Sequence, residues 1–138
     1  LGADAVLLIA RVLTPLEVKQ LARAAKGLGL ETLLEVHGRR ELEESMCAEI
    51  DVIGVNNRNL AEMTLDLKIS LDLAPYLPKE VVKISESGID TAERVMELKK
   101  AGYNGFLMGE AFMRSGAPEE ACAKLIREVR TLMKDGHA

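Results

Sequence analysis

Five short apolar runs punctuate this chain, and a helical pattern follows almost every one of them. Ala5-Val6-Leu7-Leu8-Ile9, Thr32-Leu33-Leu34-Glu35-Val36, Asp51-Val52-Ile53-Gly54-Val55, Val81-Val82-Lys83-Ile84-Ser85 and Gly105-Phe106-Leu107-Met108 have strand length. Their near-continuous apolar character is that of parallel strands buried on both faces. Thr14-Pro15-Leu16-Glu17 opens the first helix: Thr14 caps, Pro15 fits the first turn, and Glu17 completes a capping box. Leu16, Leu21, Ala24, Ala25 and Leu28 keep an apolar stripe until Gly29 closes it. Further helices are predicted over residues 40–48 and 68–76, and from a cap at Asp90-Thr91-Ala92-Glu93 to Gly102. Pro118 opens the last one, in which Leu125, Val129 and Leu132 share a face.

Strand and helix alternate from end to end with no hairpin signal, which argues for a parallel sheet. The strand starts recur every ~20–30 residues, the size of repeated βα units. Five such units fit an open doubly wound sheet or part of an eight-fold barrel. Polar residues stand at the carboxyl end of nearly every strand, where barrels place their chemistry. A doubly wound sheet would gather them at one switch point, and neither Gly-x-Gly-x-x-Gly nor a P-loop is present. The predicted fold is therefore α/β, of the (β/α)8 TIM-barrel type, with about five βα units. Five units do not close eight strands. Open strand edges and apolar helix faces call for self-association or for another segment.

Composition narrows the function. At 138 residues and 48% apolar, the chain has the size of one domain with a sizeable core. No apolar run approaches a membrane span. A net charge of −4, few aromatics and no Trp disfavour nucleic acid as a partner. The start lacks the features of a secretory signal, and Cys47 and Cys122 sit in helix-like patterns without metal-ligand spacing. They read as small buried or half-buried thiols of a cytoplasmic protein.

The candidate chemistry sits at the strand ends. Glu35 interrupts an apolar strand on the face opposite Leu34 and Val36, where desolvation would raise its pKa into the range of proton transfer. His37, one step further, reads as a loop residue. Asn56 and Arg58 are two apart, so an amide and a guanidinium project to the same side; turn propensity alone accounts for Asn57 and Asn59. Glu86, Ser87 and Gly88 put a carboxylate, a hydroxyl and a flexible backbone directly after a strand. Gly105 to Gly109 repeats the pattern, and the two strand ends together suggest a cradle for phosphate. Glu110 is expected to turn outward and offer only its N–H, and Lys19, Lys26, Lys99 and Lys100 to face solvent.

Five segments carry a resemblance: Gly2-Ala3-Asp4-Ala5-Val6-Leu7-Leu8-Ile9, Leu34-Glu35-Val36-His37, Ile53-Gly54-Val55-Asn56-Asn57-Arg58-Asn59-Leu60, Ser85-Glu86-Ser87-Gly88-Ile89 and Gly105-Phe106-Leu107-Met108-Gly109-Glu110. In order and spacing they resemble indole-3-glycerol phosphate synthase, from that family's fourth barrel strand onward. The resemblance implies a cofactor-free and metal-free lyase of tryptophan biosynthesis. Its substrate would be 1-(2-carboxyphenylamino)-1-deoxyribulose 5-phosphate, which loses CO2 and water as the indole ring closes. Glu35 would be a catalytic proton-transfer group, with Asn56 and Glu86 positioning the substrate and helping catalysis. Leu7, Arg58, Ser87, Gly88, Leu107, Gly109 and Glu110 would bind the substrate. The general-acid lysine would belong to the first three strands, which this chain lacks, so alone it would be nearly inactive. Two other readings are a related phosphoribosyl isomerase barrel, which would want a Cys or Asp pair at strand ends, and a non-catalytic phosphate-binding assembly unit.

Overall fold

The computed structural model describes residues 2–59 and 64–135. In chain order its elements are β1 (Ala5–Ile9), α1 (Pro15–Gly27), β2 (Glu31–Val36), α2 (Arg39–Ser45), β3 (Val52–Asn56), the two-residue strands β4 (Arg58–Asn59) and β5 (Thr64–Leu65), and α3 (Lys68–Leu73). Then follow β6 (Val82–Glu86), α4 (Ala92–Lys100), β7 (Gly105–Leu107), α5 (Glu110–Met113) and α6 (Pro118–Asp135). No helix among the described residues is long and apolar enough to cross a membrane.

β1, β2, β3, β6 and β7 pair in that order, all parallel. Each lies beside the next main strand in sequence, so the winding never reverses as it would at a switch point. Right-handed crossovers then put the helices on one face of the sheet. On that face Leu8, Leu34, Val36, Ile53 and Val55 are buried in one core with Val18, Ala22, Leu42, Val95 and Leu98. The opposite face carries apolar side chains as well: Leu7, Val82 and Leu107 stand about half exposed on it. Parallel strands in sequence order, with a second face that is lined by side chains, are the arrangement of a barrel wall, here open over five strands.

The predicted caps form. Thr14 and Glu17 make both bonds of the capping box, and the Thr91 hydroxyl accepts the Arg94 N–H. Other expectations need correcting. In α1 it is Val18, Ala22 and Ala25 that meet the core, while Leu16, Leu21 and Leu28 are exposed. The i, i+4, i+7 spacing of the buried set and its two small alanines let the helix lie close to the sheet. α2 stops at Ser45, so Cys47 packs against the core from beyond the helix rather than within it; it and Cys122 are free and half-buried. β4 and β5 form a small antiparallel hairpin where none was expected, because two-residue strands carry no alternation to read. Lys26 is not merely solvated: it pairs with Asp51, whose carboxylate also accepts the Thr32 N–H at 2.9 Å. Lys26 and then Thr32 hold the Asp51 carboxyl below its usual range. That end of the sheet is the one where barrels invest in stability.

Candidate active site

Register brings the chemistry together at the carboxyl end of the sheet, with Glu35 two residues below the row of Asn56 and Glu86. Glu35 on β2 lies beside Gly54 on β3, Asn56 beside Glu86 on β6, and Glu86 beside Leu107 on β7. Side chains alternate along each strand, so all of these belong to the inner face. Leu7 belongs to it as well, but on edge strand β1, with β2 and β3 between it and β6.

Glu35 and Glu86 are both buried, at 8% and 7% exposure. Glu35 does not meet a purely apolar site: the Asn56 Nδ2 donates to its Oε1 at 3.2 Å, and His37 Nε2 lies 3.4 Å from the same oxygen. The other face of the amide is used too, since Asn56 Oδ1 accepts the Arg58 N–H at 3.0 Å. His37 is no ordinary loop residue. Its ring is buried between Glu35 and Glu41, with Nδ1 3.4 Å from the Glu41 carboxylate.

Glu86 occupies a hollow that Gly54 creates. A Cβ on Gly54 would stand 1.9 Å from Glu86 Oε1, so only glycine leaves room for that carboxyl. Among the described residues, Oε1 has no hydrogen-bond donor. Burial, and after it the nearby Glu35, push the Glu86 carboxyl from its ordinary 4.5 up to about 7. A consequence for stability follows from the sign. The folded chain keeps a proton that the unfolded chain releases, so the contribution is full below about 4.5 and is lost as pH rises through about 7. Glu86→Gln stays neutral throughout and should therefore show a flatter dependence of its urea midpoint over that interval. Parallel curves for parent and variant would contradict the assignment.

The remaining predicted residues converge. Arg58, Glu86, Ser87, Gly88, Leu107, Gly109 and Glu110 line one cavity of about 340 Å³, inside the range of ~300–1,000 Å³ of small-ligand sites. Ser87 and Gly88 both have positive φ, 67° and 70°. For serine that conformation costs of order 1–3 kcal/mol and must be imposed by surrounding contacts. Glu110 does not turn away from the cavity. Its carboxylate bonds the Arg58 guanidinium at 2.7 Å and is also gripped by Arg114, one helical turn on. The opposite charges of Arg58 and Glu110, both of which line the cavity, explain the difference. Leu60, which closes the Gly-x-Asn-x-Arg-x-Leu segment, lies outside the described residues.

A family profile described as indole-3-glycerol phosphate synthase matches residues 1–125. The chain belongs to the indole-3-glycerol phosphate synthase family. It is 46% identical over 127 residues to the indole-3-glycerol phosphate synthase of Variovorax paradoxus strain S110, covering 92% of this chain and 48% of that protein. With the synthase of Bacteroides thetaiotaomicron the identity is 45% over 129 residues, 94% of this chain and 49% of the relative. The chain thus spans about half the length of the curated relatives it matches. Among solved structures, 3-hexulose-6-phosphate synthase from Salmonella typhimurium superposes with a TM-score of 0.71 at 19% identity, over 94% of this chain and 63% of that one. Likeness at that identity speaks for the fold alone.

Asn57, for which turn propensity is a sufficient account in the sequence, is fully buried. Its Nδ2 donates to Ser85 Oγ and to the Ser87 carbonyl, both at 3.0 Å, and its Oδ1 accepts the Ser70 N–H at 3.1 Å. Ser70 and Ser85 hydroxyls meet at 2.7 Å, and the Tyr103 hydroxyl donates to the Ser70 carbonyl at 2.7 Å. Burial pushes the Tyr103 phenol up to about 12. A polar residue alternating with Asn56 and Arg58 must face the core side of β3. That alternation was the signal available in the sequence.

Proposed function

We propose that this chain supplies the proton-transfer carboxylates and the phosphate cradle of an indole-3-glycerol phosphate synthase. The reaction is the decarboxylating, dehydrating ring closure of 1-(2-carboxyphenylamino)-1-deoxyribulose 5-phosphate, a carboxy-lyase step of tryptophan biosynthesis. The observation that carries this reading is the buried pair Glu35 and Glu86 on strands either side of β3, next to a cavity bounded by Ser87, Gly88 and Gly109. A carboxyl near neutral pKa exchanges protons readily at physiological pH, which suits Glu86 to assist proton movement. Glu35, oriented by Asn56 and flanked by His37, is the catalytic group that moves protons in the later steps. Asn56 and Arg58 hold the substrate's polar groups, Leu7 gives apolar wall to its ring, and Leu107 contacts the substrate from the cavity. Ser87, Gly88, Gly109 and the Glu110 backbone take the phosphate.

In this reading residues 1–138 are the carboxy-terminal portion of one barrel domain. The general-acid lysine lies on a preceding unit of the synthase; among the described residues no lysine stands at the carboxyl end of a strand. Lack of one general acid costs about 10²–10⁴ in rate, so the chain alone is inactive or nearly so. The outer edges of β1 and β7 and the exposed Leu7, Val82 and Leu107 are then the surface that the first three strands, or a second copy, would cover.

Thermal melting tests the cradle. Glycerol phosphate or inorganic phosphate binding only the folded chain should raise Tm, with about 2.7 kcal/mol of stabilisation at a hundredfold excess over Kd. No shift at saturating ligand would contradict the assignment of the cavity to phosphate.

A further inference from the structure

On the β6 side the cavity is lined by Glu86, Ser87 and Gly88, and Arg94 there donates to the Gly88 carbonyl at 3.0 Å, so the quality of the cradle rests on how the backbone after β6 is aimed. Two consecutive peptide groups there are held by one residue. The Asn57 backbone N–H donates to the Glu86 carbonyl at 2.8 Å, and the Asn57 Nδ2 donates to the Ser87 carbonyl at 3.0 Å. A trans peptide is planar, and its N–H points opposite to its C=O. Drawing the Glu86 and Ser87 carbonyls toward Asn57 therefore turns the N–H groups of Ser87 and Gly88 the other way, out of the core. Ser87 and Gly88 line the cavity on that side.

The left-handed conformation of Ser87 needs such a hold, because serine does not favour φ near 67° unaided. Asn57 is itself rigid. Its Oδ1 is engaged by Ser70 N–H, the Asp66 N–H bonds its carbonyl at 2.9 Å, and Ser70 is anchored in turn by Tyr103. The same residue separates Asn56 from Arg58, whose side chains leave the strand on the active-site side. One buried amide thus sets two strand ends at once.

We infer that Asn57 is a positioning residue for phosphate: it touches no substrate, and it aims the Ser87 and Gly88 amides that do. The inference rests on the phosphate reading of the cavity. It is tested by titrating inorganic phosphate into the 138-residue chain and following the Gly88 amide by NMR, with Asn57→Ala and Ser85→Ala alongside. Ser85 belongs to the same buried network, but its loss leaves the bond to the Ser87 carbonyl in place. The expected result is phosphate affinity about tenfold weaker in Asn57→Ala, one hydrogen-bond's worth, with the phosphate-dependent shift of the Gly88 amide lost. Ser85→Ala, although destabilised, should keep both. If Asn57→Ala does not fold, Asn57→Ser is the second variant: it is uncharged, lacks the Nδ2 donors, and should show the same loss. Parent-like affinity in a folded Asn57 variant, or an equal loss in Ser85→Ala, overturns the role of Asn57 alone. Absence of phosphate binding by the parent chain overturns the cradle itself, and this inference with it.

Discussion

Glu35→Gln should lower the turnover of a barrel reassembled from this chain and a segment bearing the first three strands by about 10²–10⁴-fold, with folding little changed. Glutamine is isosteric and keeps an oxygen to accept from Asn56 Nδ2, so the strand end retains its geometry. What it loses is the capacity to take and give a proton. A second effect separates this from a general disturbance. Glu35 is one cause of the raised Glu86 pKa, so its replacement should lower the Glu86 titration from about 7, but not back to 4.5, because burial is the larger cause. A pH titration of Glu86 by NMR reads the shift, and steady-state assay reads the turnover. Unchanged turnover would remove Glu35 from proton transfer.

Gly54→Ala should cost about 10²-fold in turnover, the scale of a misplacement near 1 Å in a reacting group, while leaving the fold in place. The new Cβ would lie 1.9 Å from Glu86 Oε1, 3.0 Å from its Cδ and 3.1 Å from Leu33 Cδ2. The closest atom is the far end of a flexible side chain, so the conflict is relieved by moving the carboxyl rather than the strands. Glu86 then leaves its hollow, gains solvent, and titrates nearer its ordinary value. Assaying turnover together with Tm distinguishes this from unfolding. Full activity in Gly54→Ala would mean that the hollow does not position Glu86 for the reaction.

The barrel-type winding was legible because each apolar run ends in polar residues rather than all of them meeting at one switch point. Glu35 was legible for a simple reason: a single carboxylate between Leu34 and Val36 has only one face to occupy. Its surroundings were not. That Asn56 and His37 would make them polar, and that Glu86 would be the carboxyl raised to about 7, depends on register between β2, β3 and β6, which no single strand encodes. Gly54 reads in the sequence as one more strand glycine, and its purpose appears only when Glu86 from another strand lies over it. Glu110 was misjudged because its partner Arg58 is 52 residues away. Asn57 has the propensity of a turn former. The pairing of β3 with β6 overrides that propensity by offering its amide three buried partners. The open strand edges were legible from the count of five units, but the identity of their cover is a property of two segments and not of this one.

The most direct test of the central claim is an assay of indole-3-glycerol phosphate formation by the purified chain, alone and mixed with a separately made segment carrying the first three strands of a relative. The predicted result is near-zero activity alone and activity in the mixture that Glu35→Gln abolishes. Turnover by the chain alone at rates near those of complete synthases would contradict the division of labour proposed here. A mixture that assembles yet stays inactive would contradict the placement of the proton-transfer pair on this half.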